Sequence, residues 1–479
     1  MPPSQPPPEL TQLAIRHWLD TQLEQDSATQ INNLYSLAKQ LDQHSANIEQ
    51  LDKILLTLLP TTLLFLNKIS VRIQQAQVTP KRYAKVHKWQ RLSLGLLTHL
   101  SCANQQWLNQ QPKDSNAALL GALLLSRTLE FCYLTATPTP QTLHAMLASL
   151  QNLPPMPPPD TQSWPPGIHN FHSFQHGLLY CKLLLRGPLY DIAPDQQTAC
   201  LAWHSEQAET LSRSAPTTPS IDDDLLQRQW QQQPPPITDT QQRWRLRQQL
   251  FSYSDAHDKI FPNQPELCRL THGFSDVFKQ IRADNRLNAI QKFSGAPARR
   301  SNRIALGIEP LDHEKKYLLR QQNTPSKPQH SPHELPVHLQ TSTDQSFGLV
   351  VLRKDLVHVG QLVLLQRASN PIQLAVVRAN STLSASAQAP ALNKETLLLE
   401  FIGHDLQAIN VTLSKQTSVA LSLTLPDLRK ALLLEPQRSL GFGVTLQPKT
   451  PDEQHWTLGK VIEQLPEAIV FESLNDCAE

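Results

Sequence analysis

Glycine is scarce in this chain, with 14 residues in 479 against 39 prolines. Loops that cradle a phosphate or present a nucleophile are built on glycine, whereas proline stiffens and separates segments. There is no G-x-S-x-G, P-loop, H-E-x-x-H or dinucleotide glycine fingerprint, so no enzyme reading has positive support. Cysteine is equally sparse. Cys102, Cys132, Cys181, Cys200, Cys268 and Cys477 stand singly, with no C-x-x-C pair. This argues against a zinc ribbon and suits reduced thiols in a cytoplasmic protein. Neither sign of charge is in excess, since the formal net charge is +2. That excludes a preference of the chain as a whole for nucleic acid or for acidic surfaces. Long unbroken apolar runs are missing too. Pro60 interrupts "ILLTLLPTTLLFL" (54–66), and Arg127 and Glu130 sit inside "AALLGALLLSRTLEFCYL" (117–134). Both read as buried helices and not as membrane spans. "MPPSQPPPEL" has no basic n-region and no apolar h-region, so no secretory signal is expected.

What the chain does contain changes character along its length, and its size suggests two to three domains. A helical domain is expected over 10–212. Leu34, Leu37, Leu41, Ile48, Leu51, Leu55 and Leu58 recur at steps of three, four or seven, with polar residues between them. Further helices are predicted over 83–110, 115–135, 140–152, 177–190 and 195–212, with a stop at "NLPPMPPPD". Residues 213–266 read as a Pro/Gln-rich linker with a short helix. Residues 267–335 read as a strand entering a helix at Gly273, followed by a basic, low-complexity linker. From 336 to 479 the pattern turns to short apolar runs separated by turn residues, too close together for crossover helices. The expected fold class is therefore α+β and multidomain. An all-α N-terminal domain precedes an antiparallel barrel with extra C-terminal strands, or two small barrels.

Three features could carry chemistry. "GIHNFHSFQHGL" places His169, His172 and His176 where they could share a helix face, as zinc ligands do. No carboxylate or cysteine nearby completes a shell, and polar lining of a helix surface is the favoured reading. The two glycines of "LGFGV" (440–444) read as bends in a strand region. The basic segment 283–335 could neutralise phosphates. It has few aromatics to stack bases, so nucleic acid is the weakest of the partner readings. Within it, "RRSNR" sets Arg299 and Arg303 four apart, where two guanidiniums can each fork onto phosphate oxygens.

"RRSNR", "VHLQTSTDQSFGLVVL", "VGQLVLLQ", "IQLAVVRAN" and the tail "KALLLEP…HWTLGKVIEQLPEAIVFESL" together resemble the large atypical PilZ-domain-containing proteins of proteobacteria. In that family an R-x-x-x-R segment precedes a six-stranded barrel, and a [DN]-x-S-x-x-G loop follows at its first strands. The resemblance implies a PilZ-like β-barrel that takes cyclic di-GMP as ligand, with no other cofactor and no metal. Arg299 and Arg303 would hold its phosphates and Arg378 would be a third cation. Thr341, Thr343 and Ser346 stand where the family has Asp/Asn, Ser and Gly. The first functional expectation is thus an intracellular cyclic di-GMP receptor. The alternative is a PilZ-like scaffold that binds a protein partner and no nucleotide, and the third is a nucleic-acid-binding β-barrel protein.

Overall fold

The computed structural model describes residues 9–214, 265–294 and 335–474, apart from short stretches within those ranges. The N-terminal half is a helical bundle: α1 (Gln12–Gln22), α2 (Ser27–His44), α3 (Leu51–Ala76), α4 (Tyr83–Gln110), α5 (Ser115–Leu134), α6 (Thr142–Gln151), α7 (Phe174–Arg186) and α8 (Pro194–Ser214). Two start signals are local. The carboxylates of Asp26 and Asp114 accept hydrogen bonds from the second and third amides beyond them, capping α2 and α5. The apolar face predicted to run from Leu34 to Leu58 is kept across a break between α2 and α3, where Gln50 takes a left-handed backbone (φ 62°). Ile48 lies outside the described residues. Helices α3 and α5 are long and apolar enough to cross a membrane by length and composition. Helix α5 is apolar on nearly every side because it lies at the centre of the bundle, against α3, α4, α6, α7 and α8.

The C-terminal half is antiparallel: β1 (Glu266–His272), then helix α9 (Phe274–Ser294), β2 (Leu335–Thr341), β3 (Phe347–Arg353), β4 (Leu362–Arg367), β5 (Gln373–Thr382), β6 (Lys394–Leu413), β7 (Gln416–Thr424), β8 (Lys430–Leu434), β9 (Thr445–Pro448), β10 (Trp456–Gln464) and β11 (Ile469–Ser473). The pairings close two rings. The first runs β1-β2-β3-β6-β5-β4 and back to β1; the second runs β6-β7-β8-β11-β10-β9 and back to β6. "ETLLLEFIG" and "AINVTL" lie in one 20-residue strand common to both rings. Its first half pairs with β3 and β5, and its second half with β7 and β9. The change of ring falls at Asp405 (φ 52°), beside a register shift between His404 and Gln407. An irregularity of this kind bends a strand without ending it. The strand read at 267–272 is part of the first ring, between β2 and β4. The helix after it continues to Ser294, further than the sequence pattern suggested.

Burial on both faces explains the unbroken apolar runs. In "LVLL" of β4, Val363 and Leu365 fill the first ring, while Leu362 and Leu364 face α9. In β8, Leu432 and Leu434 turn into the second ring, while Ala431 and Leu433 face α9. Helix α9 presents Phe274, Val277, Phe278 and Ile281, spaced three or four apart, to the cleft between the rings. Its N-terminus is held from outside: Glu467, in the turn between β10 and β11, accepts from the amides of Phe274 and Leu362 at 2.9 Å each. A carboxylate there also meets the positive end of the helix dipole.

The bundle and the second ring share one core, in which Leu432, Phe442, Leu458 and Phe471 pack with the residues of α3–α5. Polar contacts fix the junction. The amide of Thr139 donates to the Gln464 side-chain oxygen (2.6 Å), and the Gln464 amide group donates back to the Thr139 carbonyl (2.9 Å). "LGFGV" is a bend, as its glycines suggested. Gly443 sits at φ 77°, and a Cβ there would lie 2.5 Å from Cβ of Tyr83. The Tyr83 ring meets Phe442 edge-on at 4.9 Å.

Two outcomes follow from this packing. Gly443→Ala adds both backbone strain and a clash at the junction, and is expected to lower unfolding stability by about 2–4 kcal/mol in urea melts. The second concerns His204 on α8. It is buried, with Nδ1 2.6 Å from the Cys200 carbonyl, and burial pushes its pKa down from 6.5 to about 4. The unfolded chain then binds this proton more readily than the folded one. The stability is therefore intact above pH 6.5 and is lost as pH falls towards 4. Relative to His204→Gln, the wild type should lose about 3 kcal/mol across that window, as read by urea melts at a series of pH values.

Candidate functional site

The first ring has one end at which the start of β1, the end of β2, the start of β3 and the end of β4 meet, because Glu266 pairs with Leu339, Cys268 with Arg367 and Thr341 with Gly348. The loop "TSTDQS" joins β2 to β3 at this end, and its Ser342, Gln345 and Ser346 are among the described residues. These residues are held by hydrogen bonds among themselves and to β3 and β6. Ser342 is buried; its amide donates to the Phe347 carbonyl (2.9 Å), and its hydroxyl accepts from the Phe347 amide (3.0 Å). The amide of Gln345 donates to the Ser342 carbonyl at 3.0 Å, and Gln345 takes φ 57°. Among the described residues of the turn the left-handed one is Gln345, one position before Ser346. The Ser346 carbonyl accepts from the Phe401 amide on β6 at 3.0 Å. Thr341 is the last residue of β2. Thr343 lies outside the described residues, as do Arg299 and Arg303.

Arg378 is placed elsewhere, on the wall of the first ring that faces the second. Its Nε donates to Glu400 on β6 at 2.6 Å, and its Nη1 and Nη2 donate to the two carboxylate oxygens of Glu463 on β10 at 2.5 and 2.8 Å. Burial works against the charged guanidinium, and the carboxylates of Glu463 and Glu400 outweigh it, so its pKa is raised. One positive charge set against two negative ones leaves the cluster net negative. A phosphate arriving there would have to displace a carboxylate and would meet repulsion from the other. The arrangement ties β5 of the first ring to β10 of the second through side chains.

The histidine cluster resolves into ordinary contacts. His172 lies 3.2 Å from a Glu209 oxygen, His176 Nε2 lies 3.2 Å from the Ser205 carbonyl, and the two rings are 4.6 Å apart. Burial lowers the pKa of His176. His169 lies outside the described residues. Among the described residues no group of three or more histidine, cysteine, aspartate or glutamate side chains is placed to hold a metal ion.

Sequence reasoning passed over one residue at the β2–β3 loop end of the first ring. Arg367, the last residue of β4, has a side chain only 6% exposed. Strand alternation would have found it, since it lies two positions beyond Leu365 and four beyond Val363, both of which fill the ring. Its guanidinium carbon stands 6.0 Å from the centre of the Phe401 ring. Its nearest carboxylate is Glu266, 3.9 Å from Nη1.

The Arg378 cluster gives a direct test. Removing the cation leaves two carboxylates buried or half-buried without it, which costs about 3–5 kcal/mol. Arg378→Ala is expected to lower stability by that amount in urea or thermal melts, far more than an exposed arginine would. No protein-family model, curated protein or solved structure matches this chain.

Proposed function

We propose that the protein is a non-catalytic, PilZ-like signalling scaffold, in which a double barrel and a helical bundle act as one body and the first ring does not take cyclic di-GMP. The observation that carries this reading is Arg378. Of the six positions assigned to nucleotide by resemblance, it is the cation whose surroundings are fully described, and its three guanidinium nitrogens are spent on Glu400 and Glu463. The hairpin loop supports the same reading, because Ser342, Gln345 and Ser346 use their hydrogen bonds to hold the turn and β6. Such a body would serve by presenting surfaces to a protein partner in fixed relation.

A specific observation also favours the receptor reading. The loop "TSTDQS" joins β2 to β3 at one end of a six-stranded ring, and the sequence carries Arg299 and Arg303 ahead of that ring. Isothermal titration of the full chain with cyclic di-GMP separates the two. The scaffold reading expects no saturable heat. A micromolar isotherm that disappears in the Arg299→Ala, Arg303→Ala double variant overturns it and establishes the receptor.

A further inference from the structure

We propose that the β2–β3 loop end of the first ring binds a small oxyanion, a phosphate or a carboxylate, on the Nε/Nη2 edge of Arg367. The inference starts from an imbalance. The Arg367 side chain is 94% buried, as 6% of it is exposed, yet neither its Nε nor its Nη2 has a hydrogen-bond partner. A buried guanidinium carries a desolvation cost that only a partner offsets, and buried donors are ordinarily satisfied. The Glu266 carboxylate at 3.9 Å from Nη1 is beyond hydrogen-bonding distance, and its side chain is 41% exposed. It therefore supplies only weak, solvent-screened compensation.

Geometry then selects the ligand. Nε and Nη2 form the side-on edge of the guanidinium, whose two N–H groups run parallel. They match two oxygens of one carboxylate or phosphate, the bidentate pairing in which arginine surpasses lysine. Among the described residues no hydrogen-bond partner is placed on this edge. The centre of the Phe401 aromatic ring lies 6.0 Å from the guanidinium carbon, within cation–π range, and Glu266 stands at Nη1. Cys268, opposite Arg367 across the β1–β4 pair, turns its thiol to the Glu266 carbonyl at 3.6 Å. Glu266 is the most exposed member of the group. Arg378 does not compete, since its charge is spent.

The two sources of such an oxyanion are told apart by the probe. Inorganic phosphate and acetate are titrated separately into the intact protein at constant ionic strength, and thermal unfolding is followed with and without each. A saturable stabilisation by one of them is expected, and which one answers identifies the ligand chemistry. Two variants move the affinity in opposite directions. Arg367→Lys keeps the charge but removes the paired edge, and should weaken binding roughly tenfold to a hundredfold. Glu266→Gln removes the competing carboxylate at a half-exposed position that folding tolerates, and should tighten binding about threefold or more. Should Arg367→Lys fail to fold, the Glu266→Gln titration decides alone. The proposal is overturned if neither probe gives a saturable response, if Arg367→Lys responds as the wild type does, or if Glu266→Gln leaves the affinity unchanged.

Discussion

Strand β6 serves two rings at once, and that double duty sets the geometry of the whole β half. A sheet closes on itself when its last strand reaches its first. Here both closures run through the same 20 residues, so the rings cannot drift apart or rotate independently. The bend at Asp405 fixes the angle between them. The cleft made by that angle is apolar and is filled by α9. The turn carrying Glu467 then fastens the start of α9 to the second ring. Helix, cleft and tie all follow from one strand being long enough to belong to both rings.

Closure also removes the usual liability of sheet proteins. Among the described strands each has a neighbour on both sides, so no row of unpaired amides and carbonyls is offered to another chain. The β10–β11 hairpin is flanked by β9 and β8 and completes the second ring.

The helices were legible because their signal is local: the apolar spacing in α2 to α5 and the change of period where the strands begin. The fusion of two strands into β6 was not. "GHD" looks like a turn, and only the pairing partners show that the chain bends there and continues. The sites were harder still. Arg378 looks like an available cation within "AVVRAN", but the carboxylates that occupy it lie 22 and 85 residues further on. A sequence pattern shows which groups are charged; it does not show which charges are already spent. Arg367 was visible through alternation alone, as a charge placed on an inward face, and that kind of misfit is the more informative sign of a site.

The seam between bundle and second ring has a consequence for how the chain comes to be folded. Thr139 and Gln464, which clasp each other there, are 325 positions apart. Contacts of such range form late, since a long loop must close before they reward it. During synthesis the helical half emerges first, with the apolar surface that will receive Phe442, Leu458 and Phe471 still uncovered. For as long as the last strands are unmade, the nascent protein carries an adhesive face that the finished one hides. Chains cut short before β10 would keep that face and tend to aggregate.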